Sequence, residues 1–142
     1  MAEGDATVYN ELKEELLRGT IDLDGGHTLK LILVGGYTPD IDNDVGYNSA
    51  ITAYECSGAG YTVGGKTLTN PTVTKNNINN RGEFDADNVT WIGLDVGTPS
   101  HAILYDDTHV SDAVVACWEL GRASNGGNYT VQWGANGLLL LT

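Results

Sequence analysis

HTLKLILVGGYTPDIDND, residues His27–Asp44, opens with an alternation. Leu29, Leu31 and Leu33 point one way and Lys30, Ile32 and Val34 the other. A period of two predicts a strand. Both faces are largely apolar, so the strand is expected to be central and covered on both sides, with Lys30 near an end or an edge. Gly35-Gly36 stops it, and Tyr37-Thr38-Pro39-Asp40 begins a long polar loop.

Upstream, Thr7–Arg18 reads as an amphipathic helix. Val8, Leu12 and Leu16 fall at i, i+4 and i+8, flanked by Tyr9 and Leu17, with Glu11, Lys13, Glu14 and Glu15 opposite. Asp5 or Thr7 suits the start, Gly19 suits the end, and Glu14 and Arg18 are spaced to pair. Such a stripe faces a core, or else docks on a neighbouring subunit. Met1–Asp5 reads as a loose terminus. Between helix and strand, Ile21-Asp22-Leu23-Asp24 alternates and Gly25-Gly26 follows, which predicts a hairpin into the central strand.

Downstream, short apolar runs alternate with glycine-rich turns. Ile51–Cys56 reads as a strand, as do two threonine-rich pieces around Asn70-Pro71, where the proline favours an edge. Glu83–Trp91 reads as a strand bulged near Asp87-Asn88, so that Phe84 and Trp91 share a face. His101–Tyr105, Val114–Leu120, Tyr129–Trp133 and Leu138–Thr142 complete the series. The 19 glycines fit a fold with many turns. The expectation is a mainly β protein: an antiparallel β-sandwich or jelly-roll-like domain with one N-terminal α-helix. At 142 residues it is a single domain, residues 1–142, large enough to bury roughly 70% of its unfolded surface.

The net charge of −12, from 19 acids against 7 bases, argues against nucleic acid as a direct partner. It suits solubility, or attraction to a basic surface or to cations. The N-terminus MAEGDATVYNELKEE carries no apolar run of the signal-peptide kind, and no stretch is long enough to span a membrane. Cys56 and Cys117 lie far apart in apolar runs and are expected to be buried thiols.

Motif chemistry is sparse. Asp40-x-Asp42-x-Asp44 imitates the start of a calcium loop, but Val45 stands at the glycine position and Ile51 where the bidentate glutamate belongs. A solvated loop is the plainer reading, and a weak cation site at a subunit contact the alternative. GAGYTVGG contains neither a P-loop nor GxGxxG. His27, His101 and His109 have no metal-ligand spacing, and Ser100-His101 adjacency does not make a nucleophile and base. Asp85/Asp87 and Asp106/Asp107 sit beside turn residues, where aspartate is common for backbone reasons. Trp91, Trp118, Trp133 and seven tyrosines can stack on sugars, or fill a core. No catalytic, cofactor or metal residue is predicted.

One ordered series carries a resemblance: GTIDLDGGHTLKLILVGGYTPDID, then SGAGYTVGGKTLTNPTVT, FDADNVTW, HAILYDD and GNYTVQWGANGLLLLT. It resembles a group of small structural proteins of tailed bacteriophages, along nearly the whole chain. The stretch THVSDAVV, after Asp107, is less typical of the pattern. The resemblance implies a non-enzymatic virion component made in the bacterial cytoplasm. A capsid decoration (cement) protein comes first, seated on the head shell, bound to the major capsid protein and forming a homotrimer. A tail, collar or head-fibre component, or a glycan-binding β module, are the alternatives. On the cement reading the shell contacts are expected in Met1–Thr7 and the Asp40–Ala50 loop, at Ala2, Glu3, Asp5, Thr7, Asp40, Asp42 and Asp44. Deleting Met1–Thr7 is then expected to weaken shell binding and leave the fold intact.

Overall fold

The computed structural model describes residues 3–142. The predicted contact at Ala2 lies outside the described residues. The fold is mainly β and antiparallel, with one helix near the N-terminus. In chain order the elements are β1 (Thr7–Val8), α1 (Asn10–Arg18), β2 (Leu29–Val34), α2 (Ser49–Thr52), β3 (Lys66–Thr67), β4 (Thr72–Asn76), β5 (Arg81–Asp85), β6 (Val89–Trp91), β7 (His101–Asp106), β8 (Val114–Glu119), β9 (Tyr129–Val131) and β10 (Leu139–Leu141). A five-stranded sheet runs β1-β8-β7-β2-β3, a three-stranded one β10-β5-β4, and β6 pairs with β9.

β2 lies inside the large sheet, against β7 along its whole length and against β3 at Lys30 and Leu31. Its alternation sorts two cores. Leu29, Leu31 and Leu33 enter a large cluster that also holds Leu12 of α1, Phe84, Trp91, Trp118, Tyr129, Val131 and Leu139. That cluster fills the space between the large sheet and the two small ones, the arrangement of a sandwich. Ile32 and Val34 turn to the opposite face and meet Tyr9, Ile51, Ile103, Tyr105, Val114 and Cys117. Tyr37, Ile41 and Tyr47 of the long loop cover this second face. A bulge opposite Leu104 and Tyr105 lets Val115 and Ala116 share the large cluster while Val114 and Cys117 face the other way.

Several expectations need correction. The helix begins at Asn10, not Thr7, because Thr7 and Val8 pair with Cys117 and Ala116 as a strand. Neither Asp5 nor Thr7 caps it; extended Tyr9 holds the N-cap position without a side-chain cap bond, its ring fully buried. The end at Gly19, in the left-handed region, is as expected, and so is the Glu14–Arg18 pair at 2.7 Å. Met1–Asp5 is not loose throughout: the Glu3 amide donates to the Gln132 carbonyl, and Arg122 reaches the Glu3 carboxylate at 2.6 Å. Removing residues 1–7 would therefore cost β1 and this ion pair.

Ile21–Asp24 forms turns and not a hairpin strand, since the Asp22 carboxylate accepts the Asp24 amide and Asp24 in turn accepts the Val73 amide. Ile51–Cys56 is not a strand. Asn48 accepts the Ala50 amide and starts the single turn α2, and the segment pairs with β2 only through an isolated bridge of Glu55 with Val34, where the Cys56 amide donates to the Leu33 carbonyl. Glu83–Trp91 is two strands in two different sheets, broken at residues 86–88 where the Asp87 carboxylate binds Thr69 and Asn70.

Candidate functional site

The most conspicuous surface feature is a groove of about 880 Å³ between α1 and the three-stranded sheet. The antiparallel register puts Val73, Phe84 and Leu139 in one row across that sheet, and Lys75, Gly82 and Leu141 in the next row on the same face. In the first row Phe84 and Leu139 are buried against the core, while Val73 is exposed. The second row projects past the first, and Gly82 supplies no side chain there. α1 forms the facing wall through Leu12, Leu16 and Leu17, and the 21–24 turns close one end. The groove is lined mainly by aliphatic carbon. Leu17 is 92% exposed, Leu141 69% and Leu140 41%. Its charged rim is Asp22, Asp24 and Glu83, opposed by Lys13. Lys13 is engaged with the Asn10 side chain, and Glu83 with Arg81 at 2.9 Å.

The expected contact residues lie elsewhere and are largely spoken for. Asp40 accepts the amides of Asp42 and Asn43 and the Asn43 side chain, which holds its carboxyl below the usual range. Asp44 accepts the Tyr37 hydroxyl at 2.6 Å and the Asp40 amide. Asp42 accepts the Asn10 side chain at 2.8 Å, which fastens the loop to the start of α1. The loop is thus a folded cover on the second core face. Among the described residues no group of three or more His, Cys, Asp or Glu is placed to hold a metal ion. Glu3 is committed to Arg122, Thr7 belongs to β1, and Asp5 is exposed.

Other polar constellations serve the fold. Asp106 is fully buried, 2.5 Å from His27 Nδ1, and also accepts the Thr108 and His109 amides. Glu55 accepts the hydroxyls of Tyr47 at 2.5 Å and Tyr61 at 2.7 Å and the Gly64 amide at 2.8 Å. Burial first, and then that hydrogen bond, push both phenols above their ordinary values. Ser100 lies 3.1 Å from His101 Nδ1, but its hydroxyl donates to the Val34 carbonyl, pinning the chain as it enters β7. Burial raises both thiols, Cys117 to about 11, so each is protonated at neutral pH. The tryptophans are core residues: Trp91, Trp118 and Trp133 are all buried, and none offers an open stacking face.

The groove was not among the sequence-derived candidates. The signal available was the unbroken run Leu138–Leu141. A strand with period two cannot turn four consecutive leucines to one buried side, so a second cover is required for some of them. No model of a known protein family, no curated protein and no solved structure matches the chain.

Proposed function

We propose that this protein is a non-enzymatic structural component of a bacteriophage virion, in the first place a decoration protein seated on the head shell. The observation that carries this reading is the aliphatic groove with Leu17, Leu140 and Leu141 exposed along it. An apolar surface of this kind is typical of a protein that completes its burial by association. The ordered series of motifs set out above supports the virion setting. The net charge of −12 suits steering of a free subunit to a basic patch. On this reading the protein acts mechanically: as a trimer it bridges neighbouring shell subunits, and the area buried at their junctions stabilises the shell.

Copy number tests the proposal. Purified virions are separated on a denaturing gel, and this band is compared with that of the major capsid protein. Near-equal stoichiometry is the expected result. A small fraction would move the protein to a tail, collar or fibre, and complete absence from the particle would overturn the virion reading.

A further inference from the structure

We infer that the groove between α1 and the β10-β5-β4 sheet is a docking site for a partner polypeptide segment that is both aliphatic and basic. The groove is the one that carries the virion reading; the inference adds the chemistry of its occupant, and its peptide test succeeds or fails independently of whether the protein is found in a virion. Its floor and walls, Leu12, Phe84, Leu139, Leu17 and Leu141, ask for aliphatic side chains. Its rim carries Asp22, Asp24 and Glu83 against Lys13 alone, a balance that favours a cationic partner. Among the described residues neither Asp22 nor Asp24 takes part in an ion pair, although both line the groove, Asp24 also accepting the Val73 amide. Lysine or arginine on a docked segment would meet these two carboxylates while its apolar face fills the groove.

The same charges argue against the other occupants. A second copy would bring an identical acidic rim on a chain of net charge −12, so like charges would face each other across the contact. A fatty acid would fit the aliphatic lining and could bring its carboxylate to Lys13, but it would leave Asp22 and Asp24 unmatched. A cationic, leucine-like segment satisfies both halves of the site at once. β10 is the edge of its sheet, and its outer leucines are the ones left uncovered, so the contact would also cover a strand edge.

Gly82 allows the site to be filled from within. A Cβ built there approaches only the Leu141 Cβ, at 3.9 Å, so a larger side chain enters the groove without displacing backbone. The experiment uses a fluorescein-labelled synthetic Leu/Lys amphipathic peptide and a Leu/Glu counterpart of the same pattern. Binding is read by anisotropy on the full chain and on Gly82→Leu at about 0.15 M salt. The wild type is expected to bind the Leu/Lys peptide. Gly82→Leu, with the same charge, is expected to bind it about tenfold more weakly or worse, and the Leu/Glu peptide to bind the wild type more weakly by a similar factor. Equal binding by Gly82→Leu would reduce the interaction to general charge attraction and overturn the site. Equal binding of the Leu/Glu peptide would overturn the role of the rim. Sedimentation showing a wild-type dimer that Gly82→Leu abolishes would make a second copy the occupant and overturn the proposal. If circular dichroism shows that Gly82→Leu does not fold, the double variant Leu17→Ser, Leu141→Ser replaces it, because both side chains are exposed. It is expected to weaken Leu/Lys binding about tenfold, and unchanged binding overturns the inference.

Discussion

β2 and β10 are both leucine-rich strands, LKLILV and LLL, and their surroundings differ completely. In β2, five of the six residues are buried and both faces are covered by the chain itself. In β10 only Leu139 is buried, while Leu140 and Leu141 remain in solvent on the edge of a small sheet. A buried leucine or isoleucine contributes about 1.5–3 kcal/mol relative to an exposed one. β2 collects that gain at almost every position, and β10 at one. An apolar strand in a sequence therefore announces burial without saying whose atoms do the covering. Where the chain's own layers run out, as beyond the Val73–Phe84–Leu139 row, the cover has to come from another molecule or be forgone.

The largest expected effect tests the covered side of this contrast. Ile103 lies in the centre of β7 with no exposed surface, opposite Ile32, in the second core face that the polar loop covers. Ile103→Ala is expected to destabilise the fold by about 2–5 kcal/mol, read from denaturant midpoints at unchanged slope. A loss under about 1 kcal/mol would mean that the Tyr37–Tyr47 cover packs loosely and that the large sheet has only one working core.

A smaller effect concerns the tie between α1 and the loop after β7. Glu15 stands on α1, the groove wall, and accepts from the Thr20 hydroxyl and from His109 Nε2 at 2.9 Å, in the loop after β7. The Thr20 hydrogen bond first, and the His109 bond next, hold the Glu15 carboxyl below its ordinary value of 4.5. A lowered carboxyl stabilises the folded state above the unfolded value, and that contribution disappears as pH falls through the folded value. Glu15→Gln is therefore expected to melt below the wild type at neutral pH, with the two melting curves converging as pH falls through the lowered Glu15 value. A gap that persists unchanged at low pH would assign the role of Glu15 to packing and not to its charge.

Much of the covered region was legible in the sequence because its signals are local or strictly periodic. The β2 alternation named both core faces, Gly19 named the helix end, and Asn70-Pro71 placed β3 and β4 at sheet edges. The misread pieces were decided at long range. Thr7 and Val8 fit a helical stripe, but their pairing with Cys117 and Ala116 outweighs that weak preference. Ile51–Cys56 has strand-like composition, but Asn48 starts a helical turn that buries Ile51 against β2 and β7 residues in the second cluster. The acidic loop drew attention because its carboxylates are conspicuous, yet Tyr37, Asn10 and Asn43 engage them in building the cover. Beyond the Leu138–Leu141 run the groove has no local signature: it exists because α1 and the Gly82–Leu141 pair stand opposite one another, a juxtaposition of residues more than sixty positions apart that no window of sequence contains.

The smallest expected effect on stability tests the uncovered side. Leu141→Ser removes an isobutyl group that is already 69% exposed. It opens no cavity, since the side chain borders the groove and not the core. The expected change in stability is within about 0.5 kcal/mol, against the several expected at Ile103, although both substitutions shorten a large aliphatic side chain in a strand. Exposed apolar area should fall at the same time, read as weaker fluorescence of an added hydrophobic dye such as ANS. A loss of about 2 kcal/mol or more would mean that Leu141 is structural and that β10 belongs to the core in spite of its exposure. Unchanged stability with reduced dye binding would instead identify β10 as surface that the chain carries at no cost to its own fold, and such surface is available for a partner.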